Sequence, residues 1–352
     1  MNTARINTPL QTTSSASRRY DQTRLLVFGP QGQLEHTRLQ GLAQVLQPGD
    51  LLVLNRSATL PGSLRGSIAR SGAPLELRLA AFQGPSAQDL RHWQAVSFGA
   101  GDWRQPTEAR GPAPEILAGD RLIFSETLSA EVLAVDHQRL LQIRFESPDL
   151  LPALYAAGQP IQYAYHSAPL ALWDQQTVFA GPPISAEPPS ASFALNWQLL
   201  LHWRAQGVQL ATLLHSAGLS STGDAQLDQQ LPLAEWYELP AQTVAQIAAT
   251  RQAGRRVIAV GTTVLRALEA AAANTGGQLR PGADLAWLKI QPGHRFAVVN
   301  ALLTGMHEPG SSHLQILDSL CPLAQIQQGY REAAARGYLG HEYGDLSFLS
   351  CA

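Results

Sequence analysis

Cysteine is nearly missing from this chain: Cys321 and Cys351 are the only two in 352 residues. A disulfide framework and a CxxC metal site are therefore both excluded, and a reducing compartment is expected. Lysine is scarcer still, with Lys289 alone, so arginine carries almost all the positive charge. Charged residues make up only 15% and the formal net charge is -2, which gives no support for a surface that coats nucleic acid; a local arginine patch on one face stays open. No apolar run reaches membrane-spanning length, and the opening MNTARINTPLQTTSSASRRY has no apolar signal core. The expectation is a cytoplasmic protein with no membrane contact and a disordered tail over 1–20.

What is present is a large apolar complement, 45% of residues, enough for a sizeable core divided between two domains. RLLVF (24–28) and LLVL (51–54) read as strands, with a short helix over 39–46 between them. From Pro61-Gly62 to about Ser147 the texture changes to LELRLAAF, DRLIFSE, SAEVLAV and LLQIRFE, separated by Gly, Pro and Asp clusters. Few helical periods intervene, so this segment predicts a small antiparallel barrel or sandwich. Helix and strand then alternate. Ser192 is placed to cap a helix through Arg204, Val208 to Leu214 follows as a strand, and Pro240 opens a helix to Arg251. Strands are expected at 257–260, 287–290, 295–302 and 346–349, and helices at 312–320 and 323–335. The predicted architecture is a large mixed α/β domain (21–60 plus 148–352) interrupted by a small inserted antiparallel β-barrel domain (61–147).

Arg256 to Ala273, RVIAVGTTVLRALEAAAA, has the most local character. An uninterrupted β-rich run suits a buried parallel strand, and Val264, Leu265 and Leu268 recur at helical spacing. Between them Gly261 permits a close turn, Thr262 or Thr263 can cap the helix, and the free N–H groups suit a carboxylate or phosphate. A capped crossover without ligand explains the stretch equally well by itself, since dinucleotide and P-loop glycine spacings are absent.

Five stretches in order, PGDLLVLNRSATLPGSLRG (48–66), QQTVFA (175–180), AVGTTVLRALEAAA (259–272), QPGHRFAVVNALLTGMHEPGSSHL (291–314) and EYGDLSFL (342–349), give the chain a resemblance to the S-adenosylmethionine:tRNA ribosyltransferase-isomerase family of queuosine biosynthesis. The resemblance implies an enzyme that moves the ribosyl part of S-adenosylmethionine onto the aminomethyl group of a deazaguanine in a tRNA anticodon. Adenine and methionine leave, the sugar ends as an epoxy-cyclopentanediol, and no metal takes part. Partners implied are tRNA and a small nucleoside substrate. Matching motif positions are Asn55, Pro61, Gln176, Thr177, Gly261, Thr262, Thr263, Arg266, Glu269, His307, Pro309, Ser311, Tyr343, Gly344 and Asp345. His307, Glu269 and Arg266 are the catalytic candidates. Asn55, Gln176, Thr177, Gly261, Thr262, Thr263, Pro309, Ser311, Tyr343 and Asp345 are the substrate-binding candidates. Arg266 and Glu269, three apart on one helix, share a face and can pair.

The chain also departs from the family pattern. Ala58 and Ser63 stand where the family has arginines, Ala194 where it has a histidine, and Ser216-Ala217-Gly218 replaces His-Val-Gly. Glu235 alone is kept from a His-x-x-His-Ser-Glu segment. His215 is displaced by one position, and a one-residue shift on a strand turns a side chain to the other face, so it is not expected to substitute. Glu308 adds a carboxylate beside His307. These departures leave two alternatives beside the family reaction: a non-catalytic paralogue that binds S-adenosylmethionine or a related nucleoside, and an enzyme with a changed substrate.

Overall fold

The computed structural model describes residues 10–12, 20–29, 32–307 and 312–350. Val257–Val260 lies between Leu51–Asn55 and Ala301–Gly305, parallel to both, and every residue of it is buried. An apolar run without alternation belongs in such a place, covered on both faces. Gln209–His215 extends the parallel core on the other side of Leu51–Asn55. Antiparallel pairs then widen the sheet at both sides: Glu235–Leu239 and Gly282–Ala286 beyond Gln209–His215, and Leu346–Ser350 beside Ala301–Gly305. Arg24–Phe28 and Leu34–Arg38 complete a nine-stranded mixed sheet among the described residues. One face packs on the helices Ala241–Gln252, Thr262–Asn274, Ser312–Leu320 and Leu323–Ala335. The helix Trp197–Ala205 covers the other through Leu199, Leu200 and Trp203.

The chain leaves this sheet after Asn55 and enters the expected antiparallel barrel. Ser63–Ile68, Pro74–Phe82, His92–Phe98, Leu140–Phe145, Ser129–Val135 and Arg121–Ile123 pair in that order, and Arg121–Ile123 closes back on Ser63–Ile68. Leu64, Leu77, Leu79, Leu122, Val132 and Ile143 fill the interior. Pro74–Phe82 is buried on both faces from its second residue onward, because its outer face lies against the α/β domain. Glu76 and Arg78 are consequently buried charges rather than solvated ones.

Several element boundaries differ from those expected. Ser192 belongs to a short 3-10 turn; the helix begins at Trp197, where the Asn196 side chain caps it by accepting from the Leu199 N–H at 2.8 Å. The strand expected at 287–290 is Gly282–Ala286, an edge strand whose Gly-Ala-Asp start carries no β-branched signal. The strand expected at 295–302 is Ala301–Gly305, since the N–H groups of Ala297, Val298 and Val299 go to the Glu269 carboxylate rather than to a ladder. The tail expected over 1–20 falls mostly outside the described residues, but within it Gln11–Thr12 pairs in parallel with Leu339–Gly340.

Gly344 packs where no side chain fits: a Cβ there would lie 2.4 Å from the Leu339 carbonyl oxygen and 2.5 Å from that of Gly340. Gly344→Ala is expected to lower the unfolding free energy by about 1–3 kcal/mol through overpacking. Urea denaturation checks this, and an unchanged midpoint would contradict it.

Candidate active site

The carboxyl ends of the four parallel strands bring His215, Asn55, Gly261 and Gly305 to one rim, the place where open α/β sheets bind ligands. Gly261 has φ +92, a conformation costly for other residues, and its N–H donates to the Leu303 carbonyl at 2.8 Å. It is itself the helix N-cap, with no side-chain hydrogen bond over the first turn. The expected threonine cap is therefore absent, because Thr262 and Thr263 already lie inside the helix. That first turn keeps its N–H groups uncovered by any side chain, with the positive end of the helix dipole behind them.

Arg266 and Glu269 do not pair with each other. Arg266 is buried and pairs with Glu235, and its guanidinium also donates to the Ala286 carbonyl at 3.2 Å. Glu269 turns the other way, accepting three backbone N–H groups at 2.8–2.9 Å from residues 297–299. Residues three apart on a helix point about 60° apart, and each side chain here has a closer partner on a separate segment.

His215, fully buried, places Nε2 3.4 Å from the Glu235 carboxylate, so the displaced histidine does reach the conserved-position glutamate. It is the last residue of its strand, and Asn55 grips its backbone at both groups: His215 N–H to Oδ1 at 3.1 Å, and Nδ2 to the His215 carbonyl at 2.9 Å. Burial, the dominant cause, lowers its pKa to about 4; the Glu235 charge opposes this and that of Arg266 adds to it. Asn55 also accepts from Ser57 N–H, so its amide is committed to shaping the rim.

His307 hydrogen-bonds Thr304 Oγ1 through Nε2 at 2.9 Å and stacks on His313 with ring centroids 4.7 Å apart. Its pKa lies well below 6.5, first through burial and then through His313 and His341. Pro309, Ser311 and Glu308 lie outside the described residues. Tyr343 stacks face to face on Phe193 at 5.0 Å, and its hydroxyl donates to the Asp174 carbonyl at 3.2 Å. Gln176 mimics a strand against Thr59, accepting its N–H at 3.0 Å and donating to its carbonyl at 2.9 Å. Thr177 is buried nearby with an unpartnered hydroxyl. Asp345 receives the N–H groups of Arg24 at 2.6 Å and Leu339 at 2.8 Å, so its carboxylate ties the large sheet to the short strand Leu339–Gly340.

A second polar and aromatic cluster lies outside the matching motif positions. Tyr163, Tyr165, His166, Glu187 and Glu342 gather in it, with barrel residue Arg78 over the Tyr163 ring at 5.7 Å. The sequence signal for them was faint: a Tyr-Ala-Tyr-His run, and Glu342 next to the matching Tyr343. Glu235 and His215 were visible in the sequence but stood apart from the candidate set.

His215 is neutral when folded down to about pH 4, whereas an unfolded histidine protonates near 6.5, so between these values the unfolded state binds more protons. Stability therefore falls as pH drops from 6.5 toward 4. A His215→Asn variant is expected to show a shallower decline over that window in denaturation profiles; an identical slope would contradict the buried neutral assignment.

Residues 7–349 match the family model described as queuosine biosynthesis protein. The S-adenosylmethionine:tRNA ribosyltransferase-isomerase of Synechococcus elongatus is 31% identical over 353 residues, covering 97% of this chain and 93% of the relative. The enzyme of the same name from Synechococcus sp. strain CC9311 is 36% identical, covering 93% and 88%. A solved S-adenosylmethionine tRNA ribosyltransferase from Thermotoga maritima has the same fold, with TM-score 0.51 at 23% identity over 97% of this chain and 98% of that one. On the match across nearly the whole chain and on these relatives, the chain belongs to the queuosine biosynthesis protein family.

Proposed function

We propose that this chain is an S-adenosylmethionine:tRNA ribosyltransferase-isomerase: it joins the ribosyl group of S-adenosylmethionine to the aminomethyl group of a 7-deazaguanine in tRNA, releasing adenine and methionine and leaving epoxyqueuosine. Relatives carrying that name along 93% of their length support the reading. The observation within the molecule that carries it is the rim itself. An uncapped helix turn at Gly261 to Thr263 offers N–H groups to polar ligand atoms, an aromatic pair, Phe193 and Tyr343, offers a stacking surface, and His307 supplies a neutral imidazole.

The reaction needs a base for a proton made acidic by the neighbouring sulfonium and donors for the departing adenine. His307 fits proton transfer, since burial keeps its imidazole neutral and able to take up a proton, and the Thr304 hydroxyl fixes its ring. Arg266 and Glu269 serve as positioning residues. The first holds the helix against Glu235, and the second organises the 297–299 backbone that leads into the strand before His307. The substrates are S-adenosylmethionine and a tRNA; no step of this scheme draws on a metal.

The test is adenine release from S-adenosylmethionine in the presence of tRNA bearing the aminomethyl-deazaguanine precursor. The wild-type protein is expected to release adenine, and His307→Ala to slow release by about 10²–10⁴-fold, the usual loss on removing a proton-transfer group. No release by the wild-type protein would overturn the assignment.

A further inference from the structure

The cluster of Tyr163, Tyr165, His166, Glu187 and Glu342 holds two carboxylates, Glu187 and Glu342, whose charges act on one another in a setting that lacks a matching cation. Glu342 is flanked by Tyr165 and His166, whose rings lie 4.4 Å apart, and the Tyr165 ring also lies tilted against His341 at 4.3 Å. Among the described residues its ion-pair contact is His166, with Nε2 3.8 Å from Oε2. That contact brings no charge, because burial first and then His341 hold the His166 pKa near 4. His166 is 4% exposed, and neither of its ring nitrogens has a hydrogen-bond partner; Oε2 of Glu342 is likewise buried without one. Glu187 is anchored through Oε1, which accepts from the Tyr163 hydroxyl and from the N–H and hydroxyl of Ser220. Arg78 acts on Glu187 but is itself paired with Glu76 at 2.7 Å.

A half-buried acid whose Oε2 is itself buried and finds no N–H or O–H, set among aromatic faces, suits a positive charge that carries no such donor. An ammonium would want hydrogen-bond acceptors on each hydrogen, whereas a sulfonium wants only charge and polarisable surface. We propose that Glu342, backed by Glu187 and framed by the rings of Tyr165, His166 and His341, is the subsite that receives the ligand's sulfonium and distinguishes it from a neutral thioether. The inference rests on the ligand class given under Proposed function, and deepens it by naming side chains that the family motifs leave unassigned.

A second consequence follows from charge. Burial first, then the Glu187 charge, push the Glu342 carboxyl up to about 8, while a Tyr165 hydrogen bond works against them. The groups facing it are Tyr165 and His166 from one loop, Glu187 from another, and His341 and Tyr343 beside it in the chain. Seating a sulfonium favours the ionised acid, so binding expels a proton at neutral pH.

Calorimetric titration of the full chain with S-adenosylmethionine and S-adenosylhomocysteine tests this. The wild-type protein is expected to prefer the sulfonium by about tenfold or more, and Glu342→Gln to lose that preference while keeping its affinity for S-adenosylhomocysteine. Should the variant fold poorly, the wild type alone decides: affinity for S-adenosylmethionine, and not for S-adenosylhomocysteine, strengthens as pH rises through about 8. Equal affinity of the wild type for both ligands, or an undiminished preference in Glu342→Gln, would overturn the subsite and leave the proposed function standing. Failure of the wild type to bind either ligand would overturn both.

Discussion

Glu235 accepts the Gly218 N–H at 2.6 Å, pairs with Arg266, and lies 3.4 Å from His215, all within the interior at the carboxyl end of the sheet. A carboxylate without such partners would be costly there, and breaking one arm of a buried pair typically costs about 3–5 kcal/mol because the other charge is stranded. The arrangement therefore fixes the helix Thr262–Asn274 against Glu235–Leu239 and Gln209–His215 together. The rotation of that helix decides where the Gly261 turn points. Asn55 completes the tie by gripping the His215 backbone from the adjacent strand. Departures from the family motifs at 215–218 and 230–235 thus surround a polar core that is still joined together.

The inserted barrel supplies the second constraint. Its strand Pro74–Phe82 presents Glu76 and Arg78 toward the α/β domain, and Arg110 reaches Glu76 at 3.0 Å, so two guanidiniums share one carboxylate. Arg78 then contacts Tyr163, next to Glu187. Where the family carries arginines, this chain has Ala58 and Ser63, and the Ser63 hydroxyl donates to the same Glu76 at 3.0 Å. Arg65, close in sequence to the missing arginines, is exposed and 4.0 Å from Asp102, outside this network.

The α/β layering, the barrel and the strand-turn-helix at 257–274 were legible because each rests on a periodicity or a glycine turn that the chain spells locally. The helix starting at Trp197 and the strand Gly282–Ala286 were not. The first depends on which of several capping residues wins, and the second is an edge strand held by its partner rather than by propensity. At the site, matching residues identified the rim, but their roles needed geometry. Arg266 and Glu269 share a helix face and diverge to separate partners, and Asp345 spends its carboxylate on backbone N–H groups. His215 was discounted by strand alternation, yet it pairs with Tyr237 in the ladder, and alternation along that neighbouring strand puts Glu235 on the same face. Glu187 and Glu342 gain their character from burial and from each other, which no local pattern encodes.

The central claim is that the ligand lies between the Gly261 turn and the aromatic wall around Tyr343 and Glu342. A crystal structure of the protein soaked with S-adenosylhomocysteine tests it most directly. The account predicts density beside Gly261, with a ring of the ligand near Phe193 and Tyr343 and its sulfur toward Glu342. A ligand seated instead in the groove of Trp93, Gln94, Trp287 and Lys289, with the rim empty, would contradict it.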